Sequence, residues 1–279
     1  MKHFFLIIII LSSCSGNQKT ISERIEIADK NHIITTAFQS VIDSAMVTGS
    51  ILIYDAQKNI YYSNDFDWAN LGRLPASTFK IANSIIALES GVIANDSMIF
   101  KWDGQKRALK NWEQDLILKD AFQFSCVPCY QEVARNIGAK RMTEYLRKLD
   151  YGDIKVDSSN IDIFWLAGES RISQFQQIDF LKRFYEAKLP ISERTRTIMK
   201  DLLLIEQHKS YSLSGKTGWA KRDGNNNGWF VGFIEKENQV YYFATNIEPT
   251  APFDMKYFPI IRKKITIDSF EKLKIIGHM

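Results

Sequence analysis

Pro75-Ala76-Ser77-Thr78-Phe79-Lys80-Ile81-Ala82-Asn83-Ser84-Ile85-Ile86-Ala87-Leu88 is the stretch on which the reading of this chain turns. Upstream of it, Ile51-Leu-Ile-Tyr54 and Ile60-Tyr-Tyr62 are short β-rich runs joined by Asp55-Ala-Gln-Lys-Asn59, a hairpin pattern. From Ser77 the period changes. Phe79, Ile81, Ile85, Ile86 and Leu88 predict a helix stopped by Gly91. Val133, Ile137, Tyr145, Leu146 and Leu149 predict a second amphipathic stretch, interrupted at Gly138. Helical patterns dominate to about Leu204. After Ser210 strands return, in Trp229-Phe-Val-Gly-Phe-Ile234 and Val240-Tyr-Tyr-Phe-Ala244, before a helical tail from Ile260 to Ile275. Strands at both ends with helices between predict a mixed α/β (α+β) fold. Its antiparallel sheet lobe is built from both chain ends, a helical lobe of about residues 75–205 is inserted in it, and the two share one cleft.

Composition excludes several classes. The chain has 279 residues, 45% hydrophobic and 24% charged, with six Pro and 14 Gly, so it is neither disordered nor collagen-like. Its net charge of +4 is too weak to argue for a nucleic-acid partner. Three Cys cannot make a disulfide-dense scaffold, and His3, His32, His208 and His278 show no metal-ligand spacing, so no metal is expected. No His has the surroundings of a Ser-His-Asp triad either. A hydrolase on this chain must take its base from elsewhere.

The two motifs that carry chemistry both contain lysine. Ser77 and Lys80 are three apart and share a helix face, with the hydroxyl near the amine, an alternative to Ser–His. The same spacing recurs at Ser269 and Lys272, so spacing alone is weak. Apolar neighbours distinguish Lys80, which points from a helix that is largely core, where a lysine is either unsatisfied or has its charge suppressed for a purpose. Lys216-Thr217-Gly218 is a rarer string. A strand lysine beside a cleft can hold an anionic substrate group, and the glycine lets substrate backbone approach; an ordinary turn would also use Gly215 and Gly218. Pro128 suits a helix start. Cys126-Val-Pro-Cys129 lacks the βαβ surroundings of a redox motif, leaving a structural thiol pair or a short-range disulfide.

The first residues read as an address. Met1-Lys-His3, the apolar run Phe4–Leu11 and Ser12-Ser13 form a signal peptide over residues 1–13, too short to span a bilayer. Leu11-Ser-Ser-Cys14 resembles a bacterial lipobox, whose Cys is acylated; a plain signal with a bystander Cys is the other reading. Residues 14–25 form a polar tether and 26–279 the catalytic domain. The protein is then expected outside the cytoplasm, periplasmic or at the cell surface, on a lipid anchor.

Ser77-Thr-Phe-Lys80, Ser125-Cys-Val127, Lys216-Thr-Gly218 and Gly228-Trp-Phe-Val-Gly232, in that order, resemble the class D β-lactamases, the oxacillinases. Pro75-Ala76 before Ser77, Phe164-Trp165-Leu166 and Gln176-Gln-Ile-Asp-Phe-Leu181 are similar to this family specifically, and the likeness covers essentially the whole mature chain. Two positions depart from it. The family's Tyr-Gly-Asn is Tyr151-Gly152-Asp153 here, and its frequent Gly-Trp is Gly232-Phe233.

The resemblance implies a penicillin-binding, transpeptidase-like fold and hydrolysis of β-lactam antibiotics, giving resistance. It implies Ser77 as nucleophile and Lys80 carboxylated by carbon dioxide as general base, with no other cofactor. Trp165 donates its indole N–H to the carboxylated lysine, Ser125 relays a proton to the leaving nitrogen, and Val127 forms an apolar wall. The backbone N–H groups of Ser77 and Trp219 form the oxyanion hole. Lys216, Thr217, Gly218 and Arg262 receive the substrate and its carboxylate, Arg262 through its planar fork. The rivals are a β-lactam sensor or penicillin-binding protein that acylates without efficient turnover, and a lipid-anchored binding module that only keeps the fold.

Overall fold

The structure is a computed structural model and describes residues 25–29, 31–222 and 224–277. The expected signal peptide and Cys14 lie outside the described residues. Strands β1 (Ile25–Asp29) and β2 (His32–Thr35) lead into helix α1 (Thr36–Ser44), followed by β3 (Val47–Asp55), β4 (Ile60–Ser63) and α2 (Phe66–Asn70). A 3₁₀ turn, Ala76–Phe79, runs into α3 (Lys80–Glu89). Beyond a two-stranded ribbon, β5 (Ile99–Phe100) with β6 (Leu116–Ile117), come α4 (Leu118–Gln123), α5 (Val127–Ile137), α6 (Ala139–Leu149), α7 (Gln174–Tyr185) and α8 (Glu193–Leu203). The chain then returns to the sheet as β7 (Leu204–Gln207), β8 (Ser212–Arg222), β9 (Asn225–Lys236) and β10 (Gln239–Pro249), and ends in α9 (Phe258–Lys272).

The large sheet has eight strands in the order β1-β2-β4-β3-β10-β9-β8-β7. Its first four come from the N-terminal end and its last four from the C-terminal end, joined where β3 pairs β10 from Val47↔Pro249 to Asp55↔Tyr241. The expected insertion is therefore present. The sheet is antiparallel except at one pair: β2 runs parallel to β4, because α1 and β3 intervene and return the chain in the same direction. Strand β1 begins at Ile25, the last residue of the expected tether.

Period-2 alternation puts both faces of the sheet in core. Leu52, Tyr54, Trp229, Val231, Tyr242 and Ala244 face the helical lobe. Ile51, Ile53, Phe230, Ile234, Phe243 and Ile247 face α1 and α9, where Phe38, Ile42, Ile265 and Phe270 close the second core. Helix α3 is buried all round, every residue from Lys80 to Leu88 included, as the central helix of a lobe must be, with Lys80, Asn83 and Ser84 its polar members. Gly91, at φ +73°, ends it. Helix α7 starts at a capping box between Ser173 and Gln176. Between α3 and β7 the lobe is less helical than the sequence pattern predicts, because residues 90–115 and 150–173 are mostly turns and extended chain.

Candidate active site

The sequence predicts a helix from Ser77; the structure places Ser77 on the 3₁₀ turn and Lys80 at the first residue of α3. In 3₁₀ geometry residues three apart eclipse, which brings the two side chains closer than α-helical spacing would. Lys80 Nζ donates to Ser77 Oγ at 2.8 Å. Ala76, just before the nucleophile, sits at φ +52°, and its N–H donates to the Trp165 carbonyl at 2.8 Å. A non-glycine residue in that region is held there by its surroundings, and such strain gathers at working sites.

Lys80 is fully buried. Burial, and secondarily the charge of Lys216, hold its amine well below the ordinary lysine value. The Tyr130 ring lies 5.2 Å from Nζ, and Tyr130 is fixed by a 2.7 Å hydroxyl bond to Ser84. Trp165 stacks on Phe79, the residue before Lys80, with ring centroids 5.6 Å apart. Trp165 is wholly buried, and its indole N–H has no hydrogen-bond partner among the described residues. A buried donor left unmet is costly.

The opposite wall is strand β8. Lys216 pairs across to Val231 and so faces the helical lobe. Its Nζ donates to Ser125 Oγ at 3.1 Å and to the Thr217 carbonyl at 3.3 Å. Burial, with the nearby Arg262 charge, lowers it to about 7. Ser125 stands in the short break between α4 and α5, at φ +55°, and Val127 is the half-buried first residue of α5. Thr217 and Trp219 point to the other face of β8, where the exposed Trp219 ring packs edge-on against Phe258. A depression of about 260 Å³, lined by Phe122, Leu202, Lys216, Thr217, Phe230 and Lys263, runs along this edge.

Two sequence expectations change. Gly218 was expected to admit substrate backbone. A Cβ there would come within 3.2 Å of the Pro75 carbonyl and the Thr78 N–H, so its bareness first serves the close seating of β8 on the nucleophile turn. Arg262 was expected to offer a free fork. It is buried in α9 and donates to the carbonyls of Phe258, Pro259 and Gly218, leaving two of its five N–H groups uncommitted. Burial brings it to about 10. Gly228 makes its slot, since a Cβ there would stand 2.8 Å from Arg262 Cδ. Of the two departures from the family pattern, Asp153 is an exposed partner of Lys155, and Phe233 is core. Sequence reasoning missed Tyr130, Phe122 over Lys216 and the Arg262 slot, which depend on long-range packing that leaves no local signal.

The structure thus brings Ser77, Lys80, Ser125 and Lys216 together, with Trp165 behind the nucleophile turn and Arg262 beneath Gly218. Residues 45–266 match the penicillin binding protein transpeptidase domain. The chain is 40% identical to β-lactamase OXA-10 of Pseudomonas aeruginosa over 245 residues, 87% of this chain and 90% of that one. It is 40% identical to OXA-48 of Klebsiella pneumoniae over 228 residues, covering 82% and 84% of the two. The class D β-lactamase of Sebaldella termitidis superposes with a TM-score of 0.82 at 37% identity, over 86% of this chain and 96% of that one. The chain belongs to the class D β-lactamases, and is a serine hydrolase of β-lactams whose family confers antibiotic resistance.

Proposed function

We propose that this chain opens the lactam ring through an acyl-enzyme on Ser77, with Lys80, carboxylated on Nζ by carbon dioxide, as general base in both half-reactions. The observation that carries this is a buried, charge-suppressed Lys80 on the turn where Trp165, stacked on the adjacent Phe79, keeps an unmet indole donor. A neutral amine attacks carbon dioxide, forming the N–C bond and releasing one proton; an ammonium cannot. The residues fit the added group, because Trp165 supplies a donor for an anion and the cations Lys216 and Arg262 favour one. So modified, the lysine supplies the basic oxygen that an aliphatic ammonium lacks.

Ser77 then attacks the lactam carbonyl, and the backbone N–H groups of Ser77 and Trp219 meet the developing oxyanion. Ser125, bonded to Lys216, passes a proton to the leaving nitrogen. Thr217, Gly218, Lys216 and the two uncommitted Arg262 N–H groups receive the substrate carboxylate. Val127 walls the site against bulk water, and one activated water releases the acyl group.

The test uses degassed enzyme with and without bicarbonate at fixed pH and ionic strength. Trp165→Ala is expected to depend on bicarbonate more steeply than wild type, by about tenfold or more, since a hydrogen bond to a charged group is worth roughly 1.5–3 kcal/mol. Deacylation suffers most, because water has no tether. Equal rates would sink the carboxylated-lysine mechanism. A single stoichiometric burst without turnover would instead make the chain a β-lactam sensor or penicillin-binding protein. We also propose export and lipid anchoring through Cys14, for which Cys14→Ala is expected to leave the membrane fraction with solution activity intact. Retention of that variant in the membrane would end the anchor reading.

A further inference from the structure

The geometry points to the Cys126–Cys129 disulfide as a positioning device, clamping the turn that presents Ser125 and Val127 to the cleft; this rests on the role given to Ser125 above. The two cysteines are bonded, with Cα atoms 5.4 Å apart. Cys126 is the cap residue just outside α5, with extended ψ of 103°, whereas Cys129 lies inside its first turn. The bond therefore ties a non-helical residue to the helix and fixes the angle at which the chain enters it. Ser125 immediately precedes this tie. It sits at φ +55°, a conformation a serine keeps only when its neighbours impose it. Its hydroxyl is the group that meets Lys216 Nζ at 3.1 Å.

Capping alone does not account for the pair. Cys126 Sγ accepts the Cys129 N–H at 3.2 Å, a task that serine or aspartate performs without any partner at 129. Nor does global stability account for it. A cross-link spanning three residues removes little freedom from the unfolded chain, compared with one closing a long loop. What remains is local: the bond holds one turn of chain, and that turn carries a reacting-site hydroxyl and an apolar wall. A cleft of about 240 Å³ is lined by Trp102, Arg107, Trp112, Arg135 and both cysteines. Cys129 is the more exposed of the two sulfurs' residues, at 8% against 1%.

The test measures the acylation burst and the steady-state rate with nitrocefin. Cys126→Ser/Cys129→Ala keeps a capping oxygen and loses the tie; Cys126→Ala/Cys129→Ala loses both. Both pairs are expected to acylate about tenfold slower, short of the roughly hundredfold that an ångström of misplacement can cost. Deacylation and melting temperature are expected to change little. In a Ser125→Ala background, removing the cysteines is expected to have no further effect on acylation. Dithiothreitol offers the same change in the wild type. Its thiolate attacks Cys129 Sγ and Cys126 leaves as thiolate. The second thiol then displaces Cys129, so that the dithiol gives two electrons and two protons and becomes its cyclic disulfide. Reduced enzyme, verified by alkylation and mass, is expected to match the double variants and to recover on reoxidation. Rescue by the serine cap, undiminished acylation without the tie, or an equal loss in the Ser125→Ala background would each overturn the clamp. Normal acylation by Ser125→Ala alone would overturn the Ser125 reading, and the clamp with it; slow Ser125→Ala beside normal cysteine variants would overturn only the clamp.

Discussion

Lys80 and Lys216 are both buried, both lie near an aromatic ring, and both aim an amine at a serine hydroxyl, yet they form opposite walls of one cleft. Lys80 rises from the helical floor, with Tyr130 at 5.2 Å; Lys216 hangs from a strand, with Phe122 at 5.5 Å. Burial lowers both: Lys216, bonded also to the Thr217 carbonyl, sits at about 7, and Lys80, bonded to the Ser77 hydroxyl, is held well below the ordinary value. The charges act in sequence. Burial is the main cause of both shifts; to it Arg262, at about 10, adds its charge at Lys216, and Lys216 adds its own at Lys80. On the proposed mechanism, the less depressed groups are those that receive the substrate carboxylate, and the buried Lys80 is the one that must lose its charge.

That contrast breaks most visibly at Lys80. Lys80→Ala is expected to lower kcat/KM by about three orders of magnitude, the loss of a general base. Lys80→Arg is expected to do no better, because a guanidinium stays charged. A Lys80→Arg enzyme with wild-type rates would show that charge, not neutrality, is what position 80 requires. Lys216→Met is expected to act on binding, raising KM for penicillins about tenfold or more, as loss of a charge-assisted hydrogen bond does. An unchanged KM with a collapsed kcat would give the two lysines the same role.

The smallest expected effect is on stability. Lys216 binds its proton at about 7 when folded against 10.5 for the free side chain, so between these values the unfolded chain holds more protons. Stability contributed by this group therefore rises with pH across that window, and the penalty is complete below about 7. Urea midpoints at pH about 7 and about 9.5 are expected to differ more for wild type than for Lys216→Met. Equal differences would mean that Lys216 keeps an ordinary affinity for its proton.

The sequence pattern carried the architecture where apolar period was long: strands β9 and β10, helices α3, α5, α6 and α9. Helix α1 went unseen, being nine residues with Ala37, Phe38, Val41 and Ile42 as its only buried face. The parallel β2–β4 pair was equally hidden, since direction depends on what the chain does between the strands. At the site, Ser77, Lys80 and Lys216 were legible because their chemistry is unusual in apolar surroundings. The reason for Gly218 was not. What it touches, Pro75 and Thr78, lies some 140 residues earlier, and only the closed fold makes them neighbours.

The seam between β3 and β10 sets a timetable. Residues 47–55 have β4 on one side but wait for residues 241–249 to complete the other, and Ser77 and Lys80 are made long before the strand that will face them. Closing so long a loop is slow, because its entropy is lost before the contacts across it form. A ribosome-bound or truncated chain ending before β8 therefore carries the complete nucleophile motif and no active site. Competence arrives in one late step, with the last quarter of the polypeptide, from Ser212 onward.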